Sequence, residues 1–241
     1  MTNMEIDTFD PKGKKFLAIF AHPDDACFGS GGTLLKWKKQ GSKGAIIIAT
    51  NGDKGSSDRS LTHTDLAKLR HQEQLAASKF LGMEKTWFLD YPDAHLEVTQ
   101  ELKSKIVKII REYQPDIVVT FDPTMLYSLR RGFINHPDHR AIAQAAIDSV
   151  FPMARDFLTF PEHAESGLEP HKVTDIFLYN FDNPNYASDI TEIIDQKIEL
   201  LKKHESQINQ DTIENILDWN KTNGELIGTK YAEVFLHLTI N

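Results

Sequence analysis

The sequence predicts a single Rossmann-like α/β domain over residues 1–241, with a mostly parallel sheet flanked by helices. Short apolar runs alternate with longer stretches in which apolar residues recur every three or four positions, the grammar of strand–helix–strand units. The runs are nearly unbroken in Ile, Val, Leu and Phe, so both sheet faces are expected to lie under helices. Each run also ends in a polar cluster, which gathers these clusters on the rim where open α/β sheets bind ligands.

The first strand is read over 15–21 and ends in His22-Pro-Asp-Asp. A second over 44–50 ("GAIIIAT") ends in Asn51-Gly-Asp-Lys-Gly, a third over 86–89 in Asp90-Tyr-Pro-Asp, and a fourth over 116–121 ("DIVVTF") in Asp122-Pro-Thr. Helical periodicity fills the intervals at 31–39, 64–81, 99–113 and 137–150. After Phe151 the prolines 152, 161 and 170 mark a looser region, followed by a strand over 175–179 and a helix over 190–205. Trp87 is read as a core residue because it opens a strand pattern.

Composition narrows the partners. A formal charge of −8 opposes general affinity for nucleic acid or anionic membrane, both of which recruit Lys and Arg, and leaves a small molecule as the expected ligand. No early apolar run is long enough to span a bilayer, and the first residues lack a basic, apolar secretion signal, so a cytoplasmic protein is expected. The single cysteine, Cys27, can form no intramolecular disulfide. Gly29, Gly31 and Gly32 miss the dinucleotide-loop spacing and are read as room for close backbone passage beside the cleft.

Chemistry concentrates in two short stretches, "AHPDD" at 21–25 and "NHPDH" at 135–139. Pro137 suits a helix's first turn, so His139 is expected to project from a helix start at the same rim. If the stretches converge, His22, Asp25 and His139 form the two-histidine, one-carboxylate set of catalytic zinc sites. Asp24 then stands beside the metal as a general base, His136 faces the developing oxyanion or leaving amine, and Asp138 can orient a histidine. The same donor set suits Fe2+, which keeps an iron(II) oxygenase as a rival reading, and a noncatalytic carbohydrate-binding protein is another.

"AHPDD", "PDIVVTFDP" and "HPDH", with "GSGGTLLK", "TNGDKG", "FLDYPDAHL" and "KIELLKKHESQ" in the same order, resemble the LmbE-like, or PIG-L, superfamily of metal-dependent de-N-acetylases from Lys15 to about Gln207. The resemblance implies an LmbE-like fold, Zn2+ on His22, Asp25 and His139, and Asp24 and His136 in the catalytic roles above. It further implies removal of acetyl from an N-acetylglucosamine-type conjugate, with Arg70, Asp53 and Asp93 at the substrate. A non-sugar N-acyl amine is the alternative substrate, and a homo-oligomer is compatible with the family. Ala26 replaces the usual Glu after the paired aspartates, and Ala94 the usual Gly after "YPD", which bears on the substrate subgroup. Arg130 and Arg131 lie between the fourth strand and "NHPDH", where a loop can overhang the substrate.

Overall fold

The computed structural model describes residues 4–240. Its first half follows the alternation in the sequence. A short β1 (Glu5–Ile6) precedes β2 (Lys15–Phe20), α1 (Asp25–Gly29), α2 (Gly31–Lys39), β3 (Lys43–Thr50), α3 (His63–Leu81), β4 (Lys85–Tyr91), α4 (Gln100–Tyr113) and β5 (Ile117–Phe121). Local chemistry sets the helix ends. Thr62 and Asp65 close a reciprocal capping box on α3, which stops at Gly82 in the left-handed conformation, and the Thr99 hydroxyl accepts from Leu102 N at the start of α4.

The second half departs further from the periodicity. A two-stranded hairpin, β6 (Tyr127–Ser128) and β7 (Phe133–Ile134), leads into α5 (Pro137–Asp148). α5 ends at Asp148 rather than 150 and runs into a π-helical turn over Ser149–Met153, whose Phe151 has extended backbone. Then come α6 (Glu162–Glu165), β8 (Asp175–Tyr179), β9 (Tyr186–Asp189), α7 (Ile194–Leu201), α8 (Gln210–Glu225) and β10 (Ala232–Thr239). The helix expected over 190–205 is shorter at both ends: Ile190 precedes a 3-10 turn over Thr191–Ile193, and the chain leaves the helix before His204.

The large sheet has the order β1-β9-β10-β8-β5-β2-β3-β4 and is parallel except at β10, which runs against both neighbours. Phe16 to Phe20 of β2 are wholly buried, as a strand covered on both faces must be. The helices pack in two groups, α2 with α3 and α7, and α4 with α5. β4 is an edge strand, so Trp87 packs against the core only half-buried, whereas Trp37 of α2 lies within it. The chain goes from β2 outward to β3 and β4, then crosses to β5 on the other side of β2, which makes the β2/β5 boundary the topological switch point. No helix among the described residues is long and apolar enough to cross a membrane.

The glycines after "HPDD" make room for side chains instead of backbone. A Cβ on Gly29 would meet the Tyr179 ring at 2.8 Å, and one on Gly32 would stand 3.0 Å from Ile190. Gly32 also opens the start of α2 to the carboxylate of Glu233 on β10, which accepts from Gly32 N at 2.9 Å and Thr33 N at 2.7 Å. Glu233 is fully buried and 2.7 Å from the equally buried Lys197 Nζ.

Candidate active site

β2 ends at Phe20, and the next residues turn sharply at the switch point. Asp24 has φ 108, a left-handed conformation that an aspartate adopts only under constraint, and this turn sends neighbouring carboxylates in different directions. The Asp25 carboxylate folds back to accept from His22 N at 2.7 Å. His136 caps α5, its Nδ1 accepting from Asp138 N at 3.2 Å, with Pro137 in the first turn, so His139 projects one turn into the helix.

The two stretches converge. His22 Nδ1 lies 3.2 Å from His139 Nε2 and 3.3 Å from Asp25 Oδ2, while His139 Nε2 lies 3.2 Å from Asp25 Oδ1. Donors at ~2.0–2.1 Å from a tetrahedral ion stand ~3.3 Å from one another, so these side chains could hold one with little rearrangement. The opposite ring nitrogens are tied down. His139 Nδ1 donates to Asn135 Oδ1 at 3.1 Å, and His22 Nε2 faces Asp138 Oδ2 and Asp93 Oδ1, each at 3.3 Å. These partners assign the proton to the outer nitrogen of each ring and leave the inner lone pair for a cation. Donor atoms of His22, His136 and His139, and of His22, Asp93 and Asp138, also cluster within 4.8 Å, and Asp25 is the carboxylate in contact with both His22 and His139.

Charge supports the same reading. Burial opposes protonation of His22, yet Asp25, Asp138 and Asp93 outweigh it and hold the imidazole well above its usual pKa. Burial would raise Asp25, but His139 and His22 keep it well below the carboxylate range. A site with this many inward carboxylates calls for positive charge at its centre, which a divalent cation supplies. Asp24 differs: burial pushes it up to about 7, with Arg70 pulling against this from 3.3 Å.

Arg70 is 4 % exposed, and its terminal nitrogens already donate to Gly52 O, Lys54 O, Pro23 O and Asp24 Oδ2. It borders the cavity formed by His22, Asp24, Lys54, Asp93 and His136, but its terminal donors are spent on holding the Asp24 turn to the loop at Gly52 and Lys54. Asp53 stands one step back. Its Oδ1 accepts from Asp93 N at 3.2 Å, and it borders a separate cleft with His63 and His71. Asp138 is nearly inaccessible and also accepts from Ala94 N at 2.7 Å and Leu96 N at 3.2 Å.

Sequence reasoning missed Gln74, whose Oε1 accepts from Asp24 N at 3.1 Å, and Asn135, which orients His139. Gln74 follows Arg70 by one helical turn, a spacing that could have placed both on the face of α3 toward the site. Arg131 reaches the site's edge with its guanidinium 3.7 Å from the centre of the Phe181 ring, whereas Arg130 donates to Phe181 O at 2.8 Å. Ala94 adopts φ 61, which costs L residues energy that glycine avoids. Ala94→Gly is therefore expected to stabilise the protein by about 0.5–1 kcal/mol, seen as a rise of about 1–4 °C in Tm.

The fold and site together define a class: an α/β protein with a candidate metal centre at the switch point of its sheet. The chain belongs to the PIG-L family, whose description is GlcNAc-PI de-N-acetylase and which matches residues 17–150. It is 32% identical over 240 residues to diacetylchitobiose deacetylase of Thermococcus kodakarensis, covering 93% of this chain and 86% of that protein. The probable N-acetyl-alpha-D-glucosaminyl L-malate deacetylase 2 of Bacillus anthracis is 26% identical over 196 residues, 79% of this chain and 80% of that one. Among solved structures, N,N'-diacetylchitobiose deacetylase from Pyrococcus horikoshii, complexed with its inhibitor MPG, superposes with a TM-score of 0.86 at 33% identity, covering 94% of this chain and 84% of that chain.

Proposed function

We propose that this protein is a metal-dependent hydrolase that removes the acetyl group from an N-acetylglucosamine-type conjugate, releasing acetate and a free amine. The observation that carries the reading is the approach of His22 Nδ1 and His139 Nε2 to each other at 3.2 Å and to the two oxygens of Asp25 at 3.3 and 3.2 Å, beside Asp24, which takes no part in those contacts. The relatives named above, whose names specify acetylated glucosamine derivatives, support the substrate class.

In this reading His22, Asp25 and His139 would hold the ion, for which zinc fits the two-nitrogen, one-oxygen set. When bound, such an ion lowers the pKa of water toward 7 and polarises the amide carbonyl. Asp24 accepts the proton of the attacking water and returns it to the departing amine nitrogen, so one carboxylate serves as base and then acid. His136 stabilises the oxyanion. Its Nδ1 already accepts a backbone N–H, which puts the ring proton on Nε2 as a donor, and burial lowers its pKa and favours the neutral ring. Asp138 and Asp93 orient His22, and Arg70, at the cavity's border, steadies Asp24.

The test is amine release from a panel of N-acetylglucosamine conjugates, N,N'-diacetylchitobiose included, and of non-sugar N-acetyl amines. Chelation is expected to lower release from a sugar conjugate at least about 100-fold, with zinc restoring it. Full metal occupancy without release from any sugar conjugate would overturn the proposal.

A further inference from the structure

Two cavities meet at Asp24 and His139. The first, of about 270 Å³, is bordered by the charged and polar side chains of Lys54, Arg70, Asp93 and His136. The second, of about 310 Å³, is walled by Phe28, Phe121, Met125, Phe181 and Trp219. Its charged wall residue away from the catalytic pair, Arg131, stacks on Phe181 and Trp219 and donates to the Tyr179 hydroxyl at 3.2 Å and Asn223 Oδ1 at 3.4 Å, which leaves the lobe largely apolar.

An amide whose carbonyl carbon lies at the shared pair sends its amine part to one side and its acyl part to the other. Sugar hydroxyls need hydrogen-bond partners when they lose water, and the polar side provides them. The acyl group then enters the aromatic lobe. An acetyl methyl is about the size of one water, ~30 Å³, and fills roughly a tenth of that space.

Resting on the function proposed above, we infer that the aromatic lobe is an acyl pocket and that the enzyme hydrolyses straight-chain N-acyl glucosamine conjugates of roughly four to eight acyl carbons as well as N-acetyl ones. Water adds across the same amide bond, giving the longer carboxylic acid and the same free amine. Each added methylene leaves water for an apolar wall, which is expected to raise kcat/KM about three- to fourfold until the lobe is filled.

The experiment uses the zinc-loaded protein and the amine scaffold that gives the fastest N-acetyl release, re-acylated as the N-butyryl and N-hexanoyl forms. An N-hexanoyl kcat/KM above the N-acetyl value supports the pocket, and a value below it overturns it. Met125→Trp, checked for normal metal content, is expected to lower the hexanoyl-to-acetyl ratio at least about tenfold by narrowing the lobe. An unchanged ratio would mean that the acyl chain lies elsewhere and would also overturn the inference. Cleavage of N-acetyl substrates alone removes this inference and leaves the deacetylase reading standing; cleavage of neither series removes both.

Discussion

Asp24→Asn is expected to lower kcat by about 10²–10⁴ while leaving metal content near that of the unmodified protein. The carboxylate and carboxamide are nearly the same size, and Asp24 lies outside the His22–Asp25–His139 triangle, so the ion's holders stay in place. Asp24 works ionised, hence kcat/KM of the unmodified enzyme rises with pH through its pKa. Burial pushes that value to about 7 against the pull of Arg70, and a bound dication draws the limb lower. In Asp24→Asn this acidic limb disappears. Metal analysis and a pH profile on the same preparations check both points; a variant stripped of metal, or one retaining more than about a tenth of the turnover, would remove Asp24 from the role of base.

The largest stability effect is expected far from any water. Glu233 and Lys197 are both fully buried, and each is completely occupied: Lys197 Nζ also donates to Phe28 O and Asn220 Oδ1, each at 2.9 Å, and Glu233 Oε2 takes the Thr33 hydroxyl at 2.6 Å. Glu233→Gln leaves a buried ammonium without its counter-charge and weakens the anion at the positive end of α2. The expected cost is about 3–5 kcal/mol, read from urea unfolding. Lys197→Met should cost a similar amount, and the double variant less than the sum, because the second change removes the charge that the first left stranded. Additive losses would mean that the two side chains act independently.

The parallel strands and the candidate site were legible for different reasons. Strands such as "IVVTF" of β5 are continuous apolar runs because helices cover both faces, and this pattern survives in one dimension. The site was legible because a turn after a strand and the first turn of a helix keep their functional residues within five positions of each other, at 21–25 and 135–139. β9 was not legible, since Tyr-Ala-Ser-Asp has no run or alternation to distinguish it from a loop. β10 hid behind Glu233, which looks like a solvent-facing residue until Lys197 and the amides of α2 are seen around it. α8 hid similarly, because Asn220 and Asn223 complete its buried face with polar side chains that bond Ala232 O. In each case the missing information is a partner distant in sequence.

Because β10 lies between β8 and β9, the last of the described strands to leave the ribosome is an interior one. Residues 5–6 and 186–189 have no large sheet to join until residues 232–239 arrive, and the amide of Gly32 waits for a carboxylate 201 positions downstream. Until then β8 is the open flank of a growing sheet, an edge of unpaired amides and carbonyls that invites pairing with another nascent chain. A chain interrupted before Ala232 would keep that edge, whereas a chain that continues through Thr239 covers it with β10.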